Sequence, residues 1–140
     1  MRQLASALLL LLLAANAARA LVQQYYGAAP RYSYFVGCSK GGEEALAITQ
    51  RYAGLAGDFA RVFAVPGMNH CGGGDATDQF DALAALMSWV EHAQPPQRII
   101  ARAGAGSPWP GRERPLCPFP RAASYAGDGD REKAASFVCR

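Results

Sequence analysis

Apolar and polar positions switch between two periods along the chain. Leu4 to Ala15 is an apolar run, Leu-rich from Leu8 to Leu13. It lies behind Met1-Arg2 and ahead of Ala18-Arg19-Ala20. That three-part pattern predicts a signal peptide over 1–20, cut after Ala20. The run is too short for a membrane span, which takes ~20 residues. Leu21 to Gly27 reads as the last turns of a helix closed by Gly27. Tyr32 to Val36, aromatic and β-branched, predicts a buried strand ended by Gly37. A helix is expected from Glu43 to Tyr52. Its apolar face is Ala45, Leu46, Ile48 and Thr49, and Glu43 and Glu44 in its first turn suit the dipole. Ala53 to Asp58 is a turn, Phe59 to Val65 a second strand and Pro66 to Thr77 a Gly-rich loop. Asp78 is the expected N-cap of a helix reaching about His92. Phe80, Leu83, Ala84, Met87 and Val90 form its apolar face, and Pro95-Pro96 stops it. Gln97 to Arg102 is a candidate third strand. From Ala103 on, Pro108, Pro110, Pro115, Pro118 and Pro120 argue against helix or central strand.

Strands alternating with helices predict an α/β fold: a small parallel sheet with flanking helices and a disulfide-tied, irregular C-terminal tail. Right-handed crossovers would place the loops after the strands on one edge, where such sheets hold their chemistry. Cleavage after Ala20 leaves residues 21–140, enough for one domain with a modest core. The net charge of +3 falls to +1 once the two basic residues of the signal are gone. Nucleic-acid binders show clustered Lys and Arg, and membrane-surface binders a basic amphipathic stretch. The chain has neither, so no nucleic acid and no membrane is expected as a partner after cleavage. The four cysteines, Cys38, Cys71, Cys117 and Cys139, read behind a secretory signal as two disulfides in a secreted or periplasmic protein. Spacing does not choose among the three pairings. A metal site at Cys38, His70 and Cys71 is disfavoured, because there is no C-x-x-C pair and two of the ligands would be adjacent.

Gly37-Cys38-Ser39-Lys40-Gly41 matches G-x-S-x-G between an expected strand and an expected helix. A tight turn there needs its glycines and lifts the Ser39 hydroxyl outward. The Lys40 backbone N–H, at the helix start, is a natural oxyanion donor. A serine needs a base, and the chain has two histidines. His92 ends a helix, where its charge favours the dipole. His70 follows the second expected strand, on the edge where Ser39 is expected. If Ser39 and His70 meet, their neighbours Cys38 and Cys71 come within disulfide range, which leaves Cys117 with Cys139.

These residues give the chain a resemblance to the tannase and feruloyl esterase family of secreted α/β-hydrolases. The matching stretches are Tyr25-Tyr26-Gly27 with Pro30, Tyr34 to Gly42, Gln50-Arg51-Tyr52, Asp58 to Phe63 and Val65 to Gly74. Phe80-Asp81-Ala82-Leu83, Trp89-Val90-Glu91, Arg114 to Pro120 and Phe137-Val138-Cys139 complete the match. The resemblance implies a Ser–Asp–His esterase whose serine and histidine neighbours are disulfide-linked, acting on small phenolic esters, galloyl or feruloyl. Family members carry a lid domain with a calcium site between the serine and histidine regions. Here only 30 residues separate Ser39 from His70. The chain therefore resembles an internally truncated member. The lid, the calcium site, the second oxyanion donor and the catalytic aspartate are missing, and no cofactor is expected. Glu43, Glu44 and Asp58 lie between Ser39 and His70, and Asp75 and Asp78 follow; none is well placed as the acid. Weak turnover is the expectation. A non-catalytic secreted remnant, or a small disulfide-bonded binding protein, is the alternative.

Overall fold

A computed structural model describes residues 2–51 and 60–140. The expected turn at Ala53–Asp58, together with Tyr52, Asp58 and Phe59, lies outside the described residues. The chain divides into two compact units, Met1–Asp58 and Phe59–Arg140.

The first unit opens with helix α1, Arg2–Tyr26, which runs without a break through Ala20 and stops at Gly27. Gly27 has φ +72°, the left-handed geometry that ends a helix. No helix among the described residues is long and apolar enough to cross a membrane. Residues 32–36 form no strand and join no ladder. Tyr32 and Tyr34 are half-buried, while Phe35 and Val36 are exposed, so the expected buried strand is absent. Helix α2, Lys40–Arg51, starts three residues earlier than Glu43, with Glu43 in its first turn. Ala45 on its expected apolar face is half-buried and Leu46 is exposed.

In the second unit helix α3 spans Ala82–His92. Its N-cap is Asp81, not Asp78: the Asp81 side chain accepts from Ala84 N–H at 2.7 Å. The expected apolar face lies outward, with Leu83, Met87 and Val90 exposed. Leu86 and Trp89 are half-buried instead, as are Ala85 and Ser88 beside them, and Arg61 stacks over Trp89 at 5.3 Å. Strand β1, Ile99–Arg102, pairs antiparallel with β2, Glu113–Leu116, setting Ile99 against Leu116 and Arg102 against Glu113. Strand β3, Ala123–Tyr125, pairs antiparallel with β4, Phe137–Cys139.

The expected parallel sheet is therefore replaced by two antiparallel pairs. The second expected strand is reduced to a bridge at Phe63 with Pro118, beside a bond from Phe119 N–H to Val62 carbonyl. The proline-bearing tail supplies the partner strand instead. Pro115 sits in β2 opposite Ile100. In a two-stranded ladder every strand is an edge, so a proline's missing N–H is tolerated. A short return through residues 103–112 makes the pair antiparallel, whereas a parallel pair needs a long crossover.

The core of this unit is small: Ala76, Ala101, Ala103, Leu116, Cys117 and Ala134. Covalent and ionic ties supplement it. Cys117 is bonded to Cys139, with Cα atoms 5.6 Å apart. Arg112 holds Glu132 through two hydrogen bonds, and Glu113 faces Arg102 and Lys133. The Arg112 hydrogen bond keeps the Glu132 carboxyl below its ordinary range. A lowered folded-state value gives stability that is present above the unfolded value, ~4.3, and lost as pH falls through the folded value. The urea midpoint of this unit is expected to drop between about pH 5 and pH 3. Glu132→Gln should flatten part of that drop. Because the pair is solvent-exposed, the difference should be small and should shrink further in high salt. Equal pH profiles for the two proteins at low salt would exclude the contribution.

Candidate active site

In the first unit Gly37 to Gly41 folds into a tight turn leading straight into α2. A Cβ at Gly37 would lie 2.7 Å from Gly41 Cα, so no side chain fits there. Gly41 is less constrained than the motif implies, because its nearest neighbour would be Phe35 Cζ at 3.8 Å. Ser39 has φ +57°, a left-handed conformation uncommon outside glycine. Gly41 N–H bonds the Cys38 carbonyl and Glu43 N–H the Ser39 carbonyl, each at 3.0 Å. Ser39 is exposed. The Lys40 N–H is the first of α2, and the first N–H groups of a helix have no partner within it. The Lys40 ammonium pairs with Glu43.

In the second unit His70 sits at the tip of a loop with a glycine stem. Met68 bridges Gly74, and Gly67 and Gly74 have φ +75° and +79°. A Cβ on Gly74 would collide with the Gly67 carbonyl, and one on Gly67 would lie 2.8 Å from Asp75 O. Asn69 N–H bonds the Gly73 carbonyl at 3.1 Å, closing a turn that contains His70, Cys71 and Gly72. Cys71, next to the histidine, has φ +66°. Gly73 N–H donates to Asp78 Oδ2 at 2.7 Å. Beyond the loop Ala76 and Thr77 are buried, and Gln79 exchanges two backbone bonds with Arg102 of β1 at 3.0 and 2.9 Å.

The stem of this loop borders a cleft of about 360 Å³ lined by Pro66, Asp75, Trp109, Arg112, Arg114 and Phe137, among others. Arg112 stacks over Trp109 at 4.2 Å and Arg114 over Phe137 at 4.5 Å. Burial, and then the nearby Arg112 charge, lower the Arg114 guanidinium from its ordinary value. The hydrogen bond to Glu132 raises Arg112. The cleft is thus lined mainly by small apolar residues, with two aromatic rings each stacked by an arginine.

Cys38, Ser39 and Lys40 belong to the first unit and His70 and Cys71 to the second. No cysteine among the described residues is free. His92 is exposed in the last turn of α3. Several of the carboxylates considered for the acid are engaged elsewhere: Glu43 by Lys40, Asp78 by Gly73. Among the described residues no carboxylate hydrogen-bonds the His70 imidazole. Sequence reasoning missed the Asp78–Gly73 bond. An Asp following a run of glycines with free N–H groups was the available signal.

The profile of the family described as tannase and feruloyl esterase matches residues 7–55 and 54–140. Mono(2-hydroxyethyl) terephthalate hydrolase of Piscinibacter sakaiensis is 50% identical over 92 residues, 61% of this chain and 14% of that protein. An uncharacterised esterase of Xanthomonas campestris is 39% identical over 115 residues, 69% of this chain and 19% of that one. A probable feruloyl esterase of Arthroderma benhamiae is 36% identical over 85 residues, covering 59% and 16%. The chain therefore spans less than a fifth of the length of these relatives. A solved esterase from Aspergillus oryzae is similar in fold, with a TM-score of 0.51 and 24% identity over 73% of this chain and 24% of that one. With a profile match over almost every residue, from the serine turn through the histidine loop to the C-terminal cysteine, this chain belongs to the tannase and feruloyl esterase family.

Proposed function

We propose that the chain hydrolyses carboxylic esters, with Ser39 as nucleophile and His70 as general base. The observation that carries this reading is the left-handed φ of +57° at Ser39, in a glycine-flanked turn opening directly onto α2. That is the strained geometry a nucleophile elbow requires. Ser39 Oγ attacks the ester carbonyl while His70 takes its proton, and the Lys40 N–H stabilises the oxyanion. The leaving alcohol receives the proton back from the imidazolium. Water then repeats the sequence on the acyl-enzyme.

A Cys38–Cys71 disulfide joins the two catalytic segments in this reading, and the absence of free cysteines supports it. Family membership, and an apolar cleft that holds Trp109 and Phe137, support phenolic esters as substrates, galloyl or feruloyl. Removal of residues 1–20 on export places the protein outside the cytoplasm. Turnover is weak, because no carboxylate orients His70 among the described residues. Blocking that role in a serine protease lowers kcat ~10⁴-fold.

A fluorophosphonate probe reacts only with an activated serine. The folded protein should be labelled at Ser39, and non-reducing peptide mapping should recover a Cys38–Cys71 peptide. p-Nitrophenyl acetate should turn over slowly, and methyl ferulate and methyl gallate at well below ~1 s⁻¹, an ordinary enzyme rate. A folded protein that takes no label would leave the non-catalytic secreted domain, or a small disulfide-bonded binding protein, as the better reading.

A further inference from the structure

We infer that Asp78 is the positioning residue of the histidine turn: its carboxylate grips the Gly73 N–H and thereby sets the direction of the His70 imidazole. The inference rests on the reading of His70 as the base. Gly73 is held on both sides of its residue. Its carbonyl accepts from Asn69 at 3.1 Å, and its N–H donates to Asp78 Oδ2 at 2.7 Å. His70, Cys71 and Gly72 lie between Asn69 and Gly73, so the turn cannot rotate while both bonds stand. The carboxylate itself is anchored. Thr77 before it is 7% exposed, and Gln79 after it is locked to Arg102 of β1 by two backbone bonds.

Asp78 has no competing duty as a helix cap, because Asp81 caps α3. Nor does it hydrogen-bond His70 itself, so it acts on the imidazole through the backbone. A carboxylate accepting from a backbone N–H makes a bond about twice as strong as a neutral pair. A displacement of ~1 Å at a catalytic group can cost ~10²-fold in rate.

The test compares the full chain with Asp78→Ala and Asp78→Asn, using two-dimensional NMR and p-nitrophenyl acetate kinetics. In Asp78→Ala the Gly73 amide should move upfield and exchange faster. The single set of His70 ring resonances should average, and kcat should fall about 10- to 100-fold with KM little changed. Asp78→Asn keeps an oxygen acceptor, so it should restore the ring resonances and most of kcat. Should Asp78→Ala fail to fold, Asp78→Leu, which keeps the shape of the side chain without an acceptor, takes its place with the same expected outcomes. An unmoved Gly73 amide in the folded variant that lacks the acceptor would overturn it, as would a lost amide bond with unchanged His70 resonances. If the unmodified chain neither turns over ester nor takes a fluorophosphonate label, the catalytic reading falls alone. The Gly73 and His70 resonances still decide whether Asp78 positions the turn.

Discussion

Ser39→Ala should lower the turnover of p-nitrophenyl acetate about 100-fold, to background, and abolish fluorophosphonate labelling. The size follows from the proposed mechanism. Removing the nucleophile from an intact triad costs ~10⁶ in kcat, and the members of a triad act as a unit. In the proposed site no carboxylate among the described residues reaches His70, which takes ~10⁴ of that away. The serine and histidine together then hold the remaining factor of ~10². His70→Ala should fall to the same floor, and the double variant no further, because neither residue activates attack without the other. The proposed oxyanion donor, the Lys40 N–H, is backbone, so its contribution should persist in all three variants. Steady-state rates with the urea midpoint as a folding control measure this directly. Turnover retained in folded Ser39→Ala would locate the activity outside the G-x-S-x-G turn.

Breaking the Cys117–Cys139 bond, by Cys117→Ala with Cys139→Ser, should destabilise the second unit by about 3 kcal/mol. The two cysteines are separated by 22 residues along the chain. In the chain-entropy model a loop of that size restricts the unfolded state by about that amount. The loss bears on a unit whose buried residues are mostly alanine, with no large side chain fully buried among the described residues. Domains of this class hold only ~5–15 kcal/mol in all, so a unit that starts near the lower end would keep only ~2 kcal/mol without the bond. The bond ties the end of β2 to β4, and with it Phe137 and the Arg114 guanidinium stacked on it. Urea unfolding followed by circular dichroism, with and without reductant, gives the difference. A change below about 0.5 kcal/mol would mean that the ion pairs and β ladders hold the tail without it.

The candidate site was legible in the sequence wherever chemistry depends on local backbone. Gly37, Ser39 and the start of α2 could be read from five residues, because a left-handed turn into a helix is decided by glycines and by the helix that follows. Gly67 and Gly74 were visible as glycines. That they approach each other closely enough to exclude a Cβ was not. Asp78 was misread as a helix cap because a cap and a loop tie use the same residue type. Only the placement of Gly73 against it separates the two.

What the sequence determined by itself is local: a helix ending at Gly27, an elbow at Ser39, helices α2 and α3 within a few residues of their ends, and a strand inside Gln97–Arg102. Each depends on contacts within about one or two turns of chain. The tertiary structure decided the pairing. Ile99–Arg102 took Glu113–Leu116 as its partner, through a proline, because a short return can only run antiparallel and an edge strand tolerates Pro115. It also decided which faces are covered. Leu83, Met87 and Val90 repeat with helical spacing and still lie outward, while Tyr32 to Val36 has strand composition and no ladder. Periodicity states that a segment has an apolar side. Whether another element lies against that side depends on residues far away in the chain.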